Sequence, residues 1–222
     1  MRSTAGLMRL VLASNNAKKL AELRALLAGL QLDIVSQTAL GIAEADEPHH
    51  SFVENALAKA RHAALASGCA AIADDSGLCV GALGGAPGVI SAHFAGEVAV
   101  IADEGREARR RRQDAANNAA LLAALDQRSA EGHADRRAHF ISTLVAIRHA
   151  DDPEPLVAVG RWAGEVLAAP RGEQGFGYDP LLLIPELGAT VAELDAMTKN
   201  RHSHRARSAA LLRAMLAEVW CL

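Results

Sequence analysis

The stretch "RLVLASNNAKKLAELRALLAGL", residues 9–30, changes its period part-way along, and that change sets the fold class. "RLVLA" (9–13) is a short apolar run of the kind that forms a buried strand. Leu20, Leu23, Leu27 and Leu30 then recur at helical spacing, and Gly29 marks the helix end. The chain therefore opens with a strand, a small polar turn and a helix. Outward from there, "LDIVS" (32–36) is a second strand and Gly41–His50 a loop. Ser51 and Glu54 form an S-x-x-E start for a helix that stops at Gly68. "AAIA" (70–73) is a further strand, after which "DDSG" reads as a turn. A helix over about 105–128, strands over 135–149 and 155–168, and a closing helix from about 204 to 219 complete the pattern. Strands alternating with helices early and a strand pair late predict an α/β fold with a mixed sheet.

At 222 residues the chain suits one domain, expected over 9–222, with 1–8 as a flexible N-terminal extension. The longest apolar runs, such as "LLLI" at 181–184, fall far short of the roughly 20 residues that span a bilayer. No membrane association is expected. "MRSTAGLMRLVLAS" has neither the apolar region nor the cleavage site of a secretory signal, so a cytoplasmic location is expected. Cys69, Cys79 and Cys221 have no metal-like spacing. A net charge of -3 supplies no basic field, which argues against nucleic-acid binding. The arginine run at 109–112 reads as a solvated helix face.

Three constellations could carry chemistry. "SNNAKK" (14–19) places Ser14, Asn16 and a first-turn lysine where backbone N–H groups can cradle phosphate, with Lys19 beside the apolar row. A plain N-cap at Ser14 with solvated lysines explains the same residues. No Walker pattern occurs in the chain. Glu47, from the acidic loop "EADEP", and Asp75 form a candidate Mg²⁺ pair, since Mg²⁺ takes only one or two carboxylates beside substrate phosphates. Adjacent strand residues face opposite ways, so Asp74 and Asp75 can share a site only if the strand has ended before them. Lys59 shares a helix face with Asn55 and His62 and begins beside the acidic loop, within reach of a phosphate. In the third constellation, Phe176 and Tyr178 sit in a glycine-rich loop, a candidate base-stacking platform. Lys199, His204 and Arg205 supply donors suited to a purine O6 acceptor.

Taken in order, "LVLASNNAKKLAEL", "SFVENALAKARHAA", "AIADDSGLCVGALGGAPGVISAHFAG", "GFGYDPLLLIPELG" and "KNRHSHRARS" resemble the inosine triphosphate pyrophosphatase family over nearly the whole chain. The resemblance implies a long mixed sheet flanked by helices, two lobes with a nucleotide cleft and a homodimer. It also implies Mg²⁺-dependent hydrolysis of ITP, dITP and XTP to the monophosphate and pyrophosphate. By position it makes Ser14, Asn15, Asn16, Ala17, Lys18, Lys19 and Ser76 substrate contacts, and Glu47 and Asp75 the metal carboxylates. Asp75 matches the proton acceptor and Lys59 a further catalytic lysine. Phe176, Gly177, Tyr178 and Asp179 match the loop around the base, and Lys199, His204 and Arg205 its reading end. Asn15 stands where the family often has glycine, and asparagine tolerates a positive φ if one is needed. Pyrophosphatases of the Maf type and a non-catalytic nucleotide sensor are the alternatives.

Overall fold

The computed structural model describes residues 6–222. In chain order its main elements are β1 (Met8–Leu12), α1 (Ala17–Leu26), β2 (Leu32–Ser36), α2 (Phe52–Ser67), β3 (Ala70–Val80) and α3 (Arg106–Ala130). These are followed by β4 (Arg137–Ile147), β5 (Leu156–Val166), β6 (Leu182–Ile184), β7 (Ala189–Thr190), α4 (Ala196–His202) and α5 (His204–Val219). The strands form one seven-stranded sheet in the order β2-β1-β3-β4-β5-β6-β7. It is mixed, as expected: β1 runs parallel to β2 and β3, whereas β6 is antiparallel to β5 and β7. Met8 pairs with Leu32, so β1 begins inside the segment expected to be a loose extension; residues 1–5 lie outside the described residues. Among the described residues no helix is long and apolar enough to cross a membrane.

The chain divides into two compact units. The first takes the chain up to Asp75, Ser142–Gly160 and Ser203–Leu222; the second takes Ser76–Ile141 and Arg161–His202.

In the first unit the period of two along the strands sorts apolar side chains onto two faces. Leu10 and Leu12 of β1 and Ala70 and Ile72 of β3 pack with Leu23 and Leu27 of α1 and with Ala209, Leu212 and Leu216 of α5. Val11, Ala13, Ala71 and Ala73 point the other way, into the alanines of α2: Ala56, Ala60, Ala63 and Ala64. Helices α1 and α2 thus cover opposite faces, and the chain leaves β1 toward β2 but enters β3 on β1's other side. That reversal makes the C-terminal end of β1 a topological switch point, where open α/β sheets bind ligands. The second unit has its own core, in which Leu121 and Leu125 of α3 pack with Leu78, Val80, Phe140, Trp162 and Leu182.

One expectation fails here. "DDSG" is not a turn: β3 runs without interruption from Ala70 through Asp74, Asp75, Ser76 and Gly77 to Val80. Buried Leu78 and Val80 continue the alternation, which holds the backbone extended through two residues of low strand preference.

Candidate active site

Because the strand continues, Asp74 and Asp75 face opposite sides of the sheet, and each meets the cations of the helices on its own side. Asp74 points toward α1 and α5. Its carboxylate accepts from Lys19 Nζ at 2.8 Å, from Arg205 Nη2 at 3.0 Å and from the Ser142 hydroxyl at 2.7 Å. Arg205 also pairs with Glu22 of α1, and Ser142 lies 2.9 Å from the Ser208 hydroxyl of α5. Helix α5 approaches this closely because β5 has Gly160 there; a side chain would collide with the backbone of His204 and Ser208. Burial penalises the Asp74 charge, but Arg205 and Lys19 more than offset it and hold the carboxyl well below its ordinary range.

Asp75 points toward α2. Its Oδ1 accepts from Lys59 Nζ at 2.8 Å, and the same ammonium lies 3.0 Å from Glu47 Oε1 and 3.2 Å from the Asp74 carbonyl oxygen. Asp75 is 5% exposed, and its Oδ2 finds no hydrogen-bond partner among the described residues. Burial pushes this carboxyl up, although Lys59 pulls against the shift. A carboxylate so placed holds a proton more readily than an ordinary one, as a general base must. Lys59 moves the opposite way from a merely buried amine: burial lowers it, but Asp75 and Glu47 together raise it. Lys19 is lowered by burial despite its bond to Asp74.

The acidic loop reaches this point because α2 holds it. The helix is capped by Ser51, whose hydroxyl accepts from Glu54 N and donates to the Glu54 carboxylate. The Asn55 side chain grips both backbone groups of His49, and His62 Nε2 lies 3.1 Å from the Ala43 carbonyl. Asn55, Lys59 and His62 therefore serve as one face, as their spacing suggested.

At the start of α1 the N-cap is Asn16, which accepts from the backbone N–H groups of Lys18 and Lys19; Ser14 Oγ instead accepts from Asn16 N. Asn15 keeps an ordinary negative φ, and its side chain accepts from Gln37 and Thr38. No glycine is needed at that position. Ala17 opens α1, Lys18 is exposed on its first turn, and half-buried Ser76 follows Asp75 in β3. Lys19 Nζ reaches within 3.4 Å of the Asp74 carbonyl oxygen that Lys59 also meets. Two lysines from opposite faces of the sheet thus converge beside β1's end, where an anionic ligand would meet both.

In the second unit, Lys199 of α4 donates to Asp179 Oδ2 at 2.8 Å, and the same oxygen accepts from Phe176 N at 2.9 Å. The Phe176 ring lies 4.8 Å from Lys199 Nζ and 5.2 Å from the Arg110 guanidinium, within cation–π range. Asp114 accepts from Gly177 N, and Asn118 donates to Gly177 O. Gly175, at a φ of 81°, lets the loop close over Asp179 where an added Cβ would strike the carboxylate.

Two expectations for the base-reading group change. Tyr178 is not a stacking surface: its ring lies in the second unit's core, and its hydroxyl donates to Ser91 O at 2.9 Å. Leu181 and Leu182, immediately downstream, belong to the same core and draw it inward. Arg205 and His204 are buried in the first unit, and the Arg205 guanidinium is engaged by Asp74 and Glu22. With its side chain only 2% exposed, Arg205 presents almost no surface to a ligand. Arg110, in the run expected to be a solvated helix face, instead reaches the Phe176 ring; with Asp114 and Asn118 it lies at a spacing of four on one face of α3. Glu22, expected to pair with Lys18 at i+4, meets Arg205, and Ser142 meets Asp74; nothing local marks either contact.

The donor set suits a small hard cation. Glu47 Oε1, Asp75 Oδ1 and the Asp74 carbonyl already surround one cationic nitrogen, and buried Asp75 Oδ2 is a further oxygen without a partner among the described residues. No cluster of three or more His, Cys, Asp or Glu suited to a metal occurs among the described residues. A pair of carboxylates is a set that Mg²⁺ accepts beside substrate phosphates.

Two helix-borne lysines converging on one strand carbonyl beside buried carboxylates, on a mixed α/β sheet, suit a protein that handles a phosphorylated ligand. The chain belongs to the Ham1 family, whose model matches residues 10–215. It is 65% identical over 213 residues to the dITP/XTP pyrophosphatase of Methylibium petroleiphilum, covering 96% of this chain and 99% of that one. Against the dITP/XTP pyrophosphatase of Leptothrix cholodnii it is 67% identical over 216 residues, covering 97% and 100%. The solved structure of a HAM1 protein from Coxiella burnetii superposes with a TM-score of 0.84 at 40% identity, over 95% of this chain and 99% of that one.

Proposed function

We propose that the chain is a nucleoside triphosphate pyrophosphatase that hydrolyses the deaminated purine nucleotides ITP, dITP and XTP to the monophosphate and pyrophosphate, clearing them from the nucleotide pool. The observation that carries the reading is the convergence of Lys19 and Lys59 on the Asp74 carbonyl, beside a carboxylate that burial has made more basic. Asp75 takes a proton from the water that attacks the α-phosphorus. Lys19 and Lys59 offset the charge that builds on the departing pyrophosphate. Ser14, Asn16 and the first turn of α1 hold the phosphates, and Asp74 keeps Lys19 in place while remaining ionised. Glu47 and Asp75 would hold Mg²⁺, which when bound supplies charge neutralisation on the triphosphate. Phe176, Asp179 and Lys199 present the base with an aromatic face and a donor, which suits a purine bearing an O6 acceptor. The resemblance also brings a cytoplasmic homodimer into the proposal, to be tested by light scattering and by fractionation.

The deciding experiment incubates purified protein with ITP, XTP, dITP, dGTP and ATP, with and without Mg²⁺, and identifies the products. Monophosphate and pyrophosphate from ITP, dITP and XTP, dependent on Mg²⁺ and poor with ATP, is the expected result. Orthophosphate release, or binding without turnover, would overturn it.

A further inference from the structure

The Lys59 ammonium sits where a cation is expected. It is bonded to Asp75 Oδ1 at 2.8 Å and Glu47 Oε1 at 3.0 Å, with the Asp74 carbonyl oxygen at 3.2 Å as a third partner. Those oxygens come from three residues in two separate segments, and what gathers them is one charged nitrogen on α2. The site is built rather than incidental: Asp75 and Lys59 are both more than nine-tenths buried. Asp75 has a second oxygen without a partner among the described residues, so the donor set exceeds what the ammonium uses. We infer that Lys59 is an internal stand-in for the divalent ion, holding Glu47 and Asp75 together in the nucleotide-free protein and giving them up when the ion binds.

This inference rests on the proposed Glu47–Asp75 metal site and adds a coupling to it. An ammonium and a divalent ion cannot share the same three oxygens, so each weakens the other's hold reciprocally. Without the stand-in, buried Asp75 and solvent-exposed Glu47 would face each other with no positive charge between them. With it, the bare protein is stable but binds the ion weakly. The ion then enters effectively with the nucleotide, whose phosphates offer the displaced Lys59 a new anionic partner. Lys59 would thereby serve twice, first as counter-ion and then as a phosphate ligand, by a short movement at the end of a flexible side chain.

The test is direct titration of the nucleotide-free, full-length protein with Mn²⁺, followed by the electron paramagnetic resonance signal of the free ion. Lys59→Met should bind Mn²⁺ about tenfold more tightly than the wild type, or better, as expected for a coupling of ordinary size. Lys59→Gln, which keeps a hydrogen-bond donor without the charge and guards against a misfolded Met variant, should shift the same way. Lys59→Arg, which keeps the charge, should stay near the wild type. Unchanged or weaker binding by Lys59→Met and Lys59→Gln, or equally tight binding by Lys59→Arg, would overturn the inference. Asp75→Asn reports separately on the metal site. If it removes Mn²⁺ binding while the Lys59 variants leave the affinity alone, the site stands and the stand-in role falls. If Mn²⁺ binds Asp75→Asn as it binds the wild type, both fall.

Discussion

Arg205 Nη2 lies 3.0 Å from Asp74 Oδ2 although 131 residues separate them, and both side chains are almost wholly withdrawn from water. Burying either charge without the other is costly, so the pair is felt most when it is broken. Arg205→Leu should lower unfolding stability by about 3–5 kcal/mol, because Asp74 keeps its burial and loses its main counter-charge. Adding Asp74→Asn should restore part of that loss, a non-additivity that urea denaturation of the two single variants and the double variant would measure. Full additivity would show that the pair is not coupled.

The same carboxylate sets an acid limit. Its folded-state value lies well below the ordinary 3.8, because Arg205 and Lys19 outweigh the burial that opposes them. The unfolded chain therefore binds this proton more readily than the folded one, and Asp74 stabilises the fold above the ordinary value. That stabilisation declines as the pH falls below 3.8 toward the depressed value. Thermal melts of the wild type should weaken with a steeper slope in that window than melts of Asp74→Asn, which has no proton to take up. Parallel slopes would remove Asp74 from the acid transition.

How far the sequence discloses this arrangement depends on the range of the interaction. The strand, turn and helix over residues 9–30 are local: an apolar run and leucines at helical spacing place β1 and α1, although α1 ends at Leu26, before the Gly29 expected to stop it. Lys59 is nearly as local, since α2 starts at Ser51 and fixes which face meets the acidic loop. The length of β3 is hidden because Ser76 and Gly77 look like a turn, and only the burial of Leu78 and Val80 shows that the strand continues. Tyr178 misleads for a related reason: its glycine neighbours signal a loop, while the core that takes its ring comes partly from α3, far upstream. The pairing of Glu22, Asp74, Ser142 and Arg205 has no local signature, because it exists only once α1, β3, β4 and α5 are assembled.

The two active-site lysines should separate on the alkaline side. Burial lowers Lys19, whereas Asp75 and Glu47 raise Lys59 in spite of burial. As the pH rises, Lys19 loses its charge first, and a triphosphate then meets one cation instead of two. KM for ITP should rise on the alkaline side as Lys19 loses its charge. In Lys19→Arg, whose guanidinium stays protonated, the rise in KM should move to higher pH or disappear. A KM profile identical in the two proteins would assign the alkaline limb to another group.

Selectivity for the base should depend on a residue that never touches it. Gly175 brings the loop backbone over Asp179, whose Oδ2 orders both Lys199 Nζ and Phe176 N. A methyl group at position 175 would strike that carboxylate, and the positive φ there adds backbone strain. Gly175→Ala should therefore push Asp179 aside and loosen Lys199, the donor proposed to face the purine O6. Discrimination that depends on a buried donor is lost when the donor is misplaced, so the ITP-over-ATP ratio of kcat/KM should fall by about tenfold to a hundredfold. Mn²⁺ binding, proposed to belong to Glu47 and Asp75, should not change, and that separates a local effect on selectivity from general unfolding. An unaltered ratio in a folded Gly175→Ala protein would mean that Asp179 and Lys199 hold the loop without reading the base.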